Sequence, residues 1–511
     1  MNQKWFRTLF RRRVLITLLI VLQCAFLFYV IAAGSQVLTV LSEILWILSV
    51  LVILYVISKR DKGAYKSAWI LLILTFPLFG GLFYLLFTCQ SSKKRIAKEI
   101  DRLQMQAKEQ YLLPGTGYAQ AAEEMGVVFP QVRYLQDFVG FPVYQNTQTT
   151  YYPCGERMLE GLLPELRKAK HYIFLEFFII QEGTMWSQIL DILEQKASQG
   201  VQVRVIYDDL GCFLKIPSDF PEQLHAKGIH CMKFNPFRPF LTAQQNNRDH
   251  RKIISIDGSV AFTGGINLAD EYINAVQRFG YWKDSAVCLR GKAAWSLTLM
   301  FLQTWQLCTH QPEDYSAFYP WFQGPCLLPS DGYVLPYADS PMDAENVGEH
   351  VYMQILNQAT RYVYICTPYL IVDDSMVSAL TLAAKRGVDV RIMTPHIWDK
   401  RLVHMTTRSY YRELIREGVR IYEFSQGFLH AKSFVCDDQI ATVGTTNLDF
   451  RSLYLHFECG VWMWKSQSVL AVKQDFLNTL TSCEEITEQS TRCHPIVRFF
   501  QECLRIFAPL M

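Results

Sequence analysis

The run Tyr172-Ile-Phe-Leu-Glu-Phe-Phe-Ile-Ile180 reads as a buried strand. A helical stretch through 189–197 follows it, then Gly200-Val-Gln-Val-Arg-Val-Ile-Tyr-Asp-Asp209, whose apolar residues alternate with the period of a strand. The same succession returns as Tyr362-Val-Tyr-Ile-Cys-Thr-Pro-Tyr-Leu370, a helix through 375–385, and Gly387-Val-Asp-Val-Arg-Ile-Met-Thr-Pro395. Both copies continue to a glycine-led strand, Gly228-Ile-His-Cys-Met-Lys-Phe234 and Gly418-Val-Arg-Ile-Tyr-Glu-Phe424. Strands alternating with helices predict α/β halves built on mixed or mostly parallel sheets. Matching points lie about 190 residues apart, falling to 180 past the longer segment 235–249, which excludes an array of short repeats. Two halves packed face to face, with a cleft between them, is the expected architecture.

Each half ends in one polar constellation. The first reads His250-Arg-Lys252-Ile-Ile-Ser-Ile-Asp257 and then Gly264-Gly265-Ile-Asn267; the second reads His430-Ala-Lys432-Ser-Phe-Val-Cys-Asp437 and then Gly444-Thr445-Thr-Asn447. In both, Lys follows His by two, Asp by seven and Asn by seventeen. One HxKxxxxD arises by chance about once in thirty chains of this length, so two copies inside matching repeats are not coincidence. On a strand, His and Lys at i and i+2 share a face. Two lysines suit the non-bridging oxygens of a phosphate, and two asparagine amides add uncharged donors. Two imidazoles on opposite sides suit in-line displacement at phosphorus, one attacking and one protonating the leaving oxygen. The chemistry requires no metal and no cofactor. Asp257 and Asp437 complete the motif, but odd parity turns them to the other face, which favours a salt bridge or a turn role.

These residues resemble the phospholipase D superfamily over roughly 160–465, as do Tyr207-Asp208-Asp209, Asn247-Arg248-Asp249 and Asn447-Leu448-Asp449-Phe450-Arg451-Ser452. The upstream apolar region, with Trp69, Pro77 and Gly80, is similar to the membrane segment of its bacterial cardiolipin synthase branch. The resemblance implies a two-step transfer through a covalent phosphatidyl-histidine, condensing two phosphatidylglycerols to cardiolipin and glycerol. His250 would be the nucleophile and His430 the acid and then the base. Lys252, Lys432, Asn267 and Asn447 would hold the phosphate, while Asp284 and Glu458 would orient the histidines. Thr445 departs from the serine common at its place, and the glycine pair of the first half is not repeated. Alternatives with the same residues are a phospholipase D-type hydrolase, a transferase using phosphatidylethanolamine as donor, a nuclease, and a scaffold with a dead site; the scaffold is disfavoured because neither copy has lost its His or Lys.

Outside the repeats, 14–33, 37–57 and 69–87 are apolar stretches near the length of a membrane span. The first two read as transmembrane helices; the third, with Pro77, Gly80 and Gly81, reads as a kinked span or a re-entrant segment. Lys4, Arg7 and Arg11 ahead of the first stretch, and Lys59, Arg60, Lys62 and Lys66 after the second, favour the cytoplasmic side. The expected organisation is a membrane region 1–100, a linker 101–150, and a pseudo-twofold pair of phospholipase D-like α/β/α domains, 151–325 and 326–511. The resemblance implies a multi-pass protein of the bacterial cell membrane acting on phosphatidylglycerol and anionic lipids. No oligomeric state follows.

Composition agrees with that frame. Half of the 511 residues are apolar and 19% charged, which excludes disorder and a small disulfide scaffold. Residues 1–100 carry 13 Lys/Arg against 3 Asp/Glu, leaving a net −7 on 101–511 within the chain's +3. An acidic catalytic part speaks against nucleic acid as partner. The 14 cysteines, with no CxxC pair, read as buried thiols. Glu176, Tyr369 and Asp208 are weaker cleft candidates. Arg408, Arg412 and Arg416 form a basic stripe suited to an anionic surface, although such stripes are usually solvated. The amphipathic end, 499–511, is expected to pack in the core.

Overall fold

A computed structural model describes residues 36–59, 62–76, 80–81, 83–85, 97–100, 102–106, 117–236, 246–319, 331–343 and 345–510. The chain forms two compact units, one of Met1–Ile96, Phe237–Asn247 and Cys503–Met511, the other of Ala97–Pro236 and Arg248–Glu502. Both repeats lie in the second.

The first repeat supplies β1 (Thr147–Tyr152), β2 (Tyr172–Phe177), β3 (Gln202–Asp208), β4 (His230–Phe234), β5 (Lys252–Ile256), β6 (Val260–Gly264), β7 (Tyr281–Lys283) and β8 (Ala286–Gly291). The second supplies β9 (Tyr333–Asp339), β10 (Tyr362–Cys366), β11 (Leu370–Ile371), β12 (Asp389–Pro395), β13 (Arg420–Phe424), β14 (Gly427–Leu429), β15 (Ser433–Cys436), β16 (Ile440–Gly444), β17 (Leu448–Asp449), β18 (Glu458–Trp464) and β19 (Cys483–Ile486). The first sheet runs β1-β8-β6-β5-β2-β3-β4 and the second β9-β18-β16-β15-β10-β12-β13, with β19 added at its edge. The two orders correspond strand for strand. Both sheets are mixed. β2, β3 and β4 are mutually parallel, as are β10, β12 and β13, because helices carry the chain back between them. β5, β6 and β8 follow as antiparallel neighbours, matched by β15, β16 and β18.

Helices cover the sheets, so the strands are buried on both faces rather than one. Ala294–Thr309 lies against β5 and β6, and Gln467–Leu480 against β15 and β16. Even Arg204 in β3 is buried. Its guanidinium bonds Glu313 at 2.8 and 3.2 Å and sits over the rings of Phe174, Trp305 and Phe318. Trp295 and Trp462 are fully enclosed, and cutting either to alanine is expected to cost about 3–5 kcal/mol. None of the described cysteines forms a disulfide.

In the other unit, Gln36–Ser58 and Gly63–Thr75 are helices joined by a small core of Val52, Val56, Trp69, Ile73 and Tyr84. The expected span 14–33 lies outside the described residues. Among the described residues no helix is long and apolar enough to cross a membrane, so the multi-pass expectation gains no support from them. The third stretch is not one continuous helix. Its helix stops at Thr75, 13 residues or about 20 Å long, and Gly80 then comes back against it. A Cβ at Gly80 would lie 2.7 Å from Ile73 Cα.

The structure adds partners to one surface feature and corrects another. Arg408 lies 3.5 Å from Glu423, while Arg412 and Arg416 lie 3.6 and 2.6 Å from Glu488, so the basic stripe is paired with carboxylates. The helix Pro495–Phe507 buries none of its side chains and exposes Ile496, Phe499 and Phe500, so it does not pack in the core.

Candidate active site

His250 and His430 stand just ahead of β5 and β15, where the chain enters each sheet. Backbone bonds set the register there. His250 N donates to Phe457 O and Phe457 N to Arg248 O, both at 2.9 Å. β7 pairs in parallel with β14, and His430 N donates to Lys283 O at 2.7 Å. The residue before Glu458 is thereby bridged to the residue before His250, and the residue before Asp284 to the residue before His430.

The carboxylates consequently cross over. Glu458, of the second half, places both oxygens 3.0 Å from His250 Nδ1. Asp284, of the first half, places Oδ2 2.6 Å from His430 Nδ1. Each acid therefore serves the histidine of the other half and not the one upstream of it in its own half. A carboxylate at Nδ1 holds the proton on that nitrogen and leaves the Nε2 lone pair for reaction. Among the described residues, neither Nε2 makes a hydrogen bond.

Lys252 and Lys432 are buried and fold back on their own histidines. Lys252 Nζ donates to His250 O at 2.5 Å; Lys432 Nζ donates to His430 O and lies 2.8 Å from His430 Nδ1. Burial lowers Lys252 to about 8 against the pull of Glu458, and Lys432 to about 7 against that of Asp284. Burial, then Lys252, His456, Lys432 and His430, hold His250 well below the ordinary histidine value. Three of those groups, His456, Lys432 and His430, belong to the other half. Burial and Lys432 bring His430 down to about 4, with Asp284 opposing.

The two asparagines are not equivalent. Asn267 accepts from Ile179 N at 3.0 Å and donates to the Tyr272 hydroxyl at 2.8 Å. Asn447 Oδ1 is enclosed and has no partner among the described residues. The motif aspartates are not brought to the seam. Asp257 lies at the far end of β5, about 16 Å of strand from Lys252, and accepts from the backbone N–H of Lys170, His171 and Tyr172, each at 2.8 Å. Asp437 accepts likewise from Thr360, Arg361 and Tyr362. Both have positive φ, 49° and 53°, which places them in the hairpin turns. Although they complete the motif, they take the turn role that strand parity favours and fasten the start of β2 and β10.

A model of the cardiolipin synthase phospholipase D-like domain matches residues 162–278 and 352–480, and one of the phospholipase D-nuclease N-terminal region matches 44–87. A cardiolipin synthase of Geobacillus sp. (strain WCH70) is 35% identical over 472 residues, covering 91% of this chain and 92% of that protein. The chain belongs to the cardiolipin synthase family. It is an enzyme of the phospholipase D phosphatidyltransferase kind. An uncharacterized protein of Streptococcus mutans is more similar, 44% identical over 90% of this chain and 99% of its own length. The crystal structure of phosphatidylserine synthase from Haemophilus influenzae shares the fold, with a TM-score of 0.56 at 15% identity over 74% of this chain and 97% of that one.

Within this member of the cardiolipin synthase family, further groups support the histidines, some of them weaker candidates in the sequence and others, such as His456 and the Asp249–Arg251 pair, not singled out there. The Thr445 hydroxyl donates to Glu458 Oε2, and Cys459 N donates to Thr445 Oγ1 at 3.0 Å. At the matching place stands Gly265, where a Cβ would meet Asp284 Oδ1 at 2.1 Å. Behind His250, Asp208 accepts from Asp249 N at 3.1 Å, and Arg251 joins Asp249 and Glu176, each at 3.0 Å. Glu176 and Asp208 thus brace the histidine segment from behind, and burial pushes Asp208 up to about 7. Tyr369 donates to Asp399 at 2.7 Å. His456, two residues before Glu458, faces His250 at 5.5 Å between ring centroids. His250, His456 and Glu458 offer ligand atoms within 4.8 Å of one another, but His250 Nδ1 is already engaged by Glu458.

Proposed function

We propose that this enzyme condenses two phosphatidylglycerols to cardiolipin and glycerol. The observation that carries the reading is the crossed pairing of His250 with Glu458 and of His430 with Asp284. It leaves two Nε2 atoms and two ammonium groups for one phosphodiester. In the first step His250 Nε2 forms a bond to phosphorus, the bond from phosphorus to the glycerol oxygen breaks, and His430 delivers a proton to that oxygen. In the second, His430 takes the proton from a hydroxyl of another phosphatidylglycerol. Its oxygen bonds phosphorus as the P–N bond breaks, which returns both histidines to their starting states. Lys252 and Lys432 neutralise the charge on the non-bridging oxygens, and the amide N–H group of Asn447 adds an uncharged donor to the same oxygens. The neutral His250 suits a nucleophile. His430 at about 4 in the free site becomes an acid once an anionic phosphodiester beside it raises its affinity for a proton.

The unit built on Gln36–Ser58 is the part we assign to the membrane. Trp46, Ile47, Leu51, Leu54 and Ile57 are exposed along that helix, and an apolar face of this size suits hydrocarbon better than water. The packing of Gly80 against Ile73 supports a segment that leaves on the side it entered. Purified full-length enzyme given headgroup-labelled phosphatidylglycerol and, in parallel, phosphatidylethanolamine tests the reading. Cardiolipin and free glycerol support it. Phosphatidic acid as the main product replaces it with a hydrolase, and turnover of phosphatidylethanolamine alone replaces the donor.

A further inference from the structure

His456 is used by none of the steps above, yet it lies at the reacting centre. Its side chain is nine-tenths buried. Both ring nitrogens are enclosed and, among the described residues, have no hydrogen-bond partner. The nearest acid atom, Glu458 Oε1, is 3.8 Å from Nδ1, beyond hydrogen-bond reach, and that carboxylate is already shared by His250 and Thr445. Enclosed polar atoms left unpaired are costly and rare, and one beside a catalytic ring points to a contact completed by substrate.

The ring's chemistry narrows what that contact is. Burial, with Arg451, Lys252, Arg248 and Lys400 around it, holds His456 well below the usual histidine range, so the ring is neutral. A neutral imidazole offers one donor and one acceptor. A phosphate oxygen satisfies only the donor and an ammonium only the acceptor, whereas the hydroxyls of a polyol satisfy both. The same four cations repel an ammonium headgroup.

We propose that His456 contacts the headgroup of the donor lipid beside His250 and selects an uncharged, hydroxyl-bearing alcohol of the glycerol type. This rests on phosphatidylglycerol being the donor. The test is competition, in one set of mixed micelles, between headgroup-labelled phosphatidylglycerol and headgroup-labelled phosphatidylpropanol, which lacks the two free hydroxyls. Wild type should release glycerol at least tenfold faster than propanol in kcat/KM. His456→Phe should bring that ratio toward one, mainly by losing the phosphatidylglycerol reaction. His456→Asn, which keeps a donor and an acceptor, should retain most of it. Equal release of both headgroups by wild type overturns the role of His456, and this holds whether or not the phenylalanine variant folds. A phenylalanine variant slowed equally on both donors overturns it too, since that is the signature of a structural residue. A wild type that releases neither headgroup instead overturns the donor reading, and this inference with it.

Discussion

Glu458 holds His250 across the seam between the two repeats, with both carboxylate oxygens 3.0 Å from Nδ1. An acid placed there fixes the proton on Nδ1 and keeps the Nε2 lone pair for phosphorus. Glu458→Gln offers an N–H to the same nitrogen and so favours the wrong tautomer. Turnover of phosphatidylglycerol should fall by about 10²–10⁴-fold, the scale seen when an acid orienting a catalytic histidine becomes an amide. Circular dichroism should show an unchanged fold. A variant keeping more than a tenth of the wild-type rate would argue that the bond is merely structural.

The second pairing is tighter and tolerates less. Asp284 reaches His430 only because position 265 carries no side chain; a Cβ there would lie 2.1 Å from Asp284 Oδ1. Gly265→Ala should therefore displace the carboxylate and cut activity more than tenfold, while Thr445→Ser at the matching place keeps the hydroxyl that serves Glu458. Near-wild-type rates for Gly265→Ala, measured as glycerol release, would mean that Asp284 does not position His430.

The repeat, the strand order and the four charged residues of the two motifs are legible in the sequence because each is written locally, in period-two runs and fixed spacings. The exchange of carboxylates is not. It depends on β7 meeting β14 and on the bridge from Asp249 to Phe457, pairings between residues 146 or more positions apart that no local pattern encodes. Strand parity did foretell that Asp257 and Asp437 turn away from the lysines. The carboxylate partners of the arginine stripe were not legible because Glu423 and Glu488 come from distant segments. The 499–511 segment misled because amphipathicity reports a need for an apolar surface and not where that surface is.

Asp257 and Asp437 should matter to stability and not to catalysis. Removing either leaves three backbone N–H groups at a strand start without their acceptor, a loss of about 1–3 kcal/mol. At Asp437 burial opposes ionisation, but the N–H groups of Tyr362, Thr360 and Arg361 outweigh it and hold the carboxyl below its ordinary value. Its stabilisation is then fully present above pH 4 or so and is lost as pH falls through the lower, folded-state value. Asp437→Ala should lower the melting temperature at pH 7, with the gap to wild type closing in acid, while kcat per folded molecule stays within about twofold. A large fall in kcat with no change in melting would place this aspartate in the chemistry after all.

The lysine pair sets the alkaline limit of the reaction. In the free site Lys432 stands at about 7 and Lys252 at about 8, both lowered chiefly by burial. The charged forms exist below those values and the neutral forms above, and a phosphodiester anion binds the charged forms. Since kcat/KM reports the free enzyme, it should fall as pH rises through 7 to 8. The limb of kcat should lie higher, because a bound anion raises both lysines. Lys432→Arg, whose guanidinium stays charged throughout, should flatten the part of the kcat/KM limb near 7 even where its geometry slows the reaction. A wild-type kcat/KM that stays level beyond pH 9 or so would show that the two ammonium groups are not what receives the phosphate.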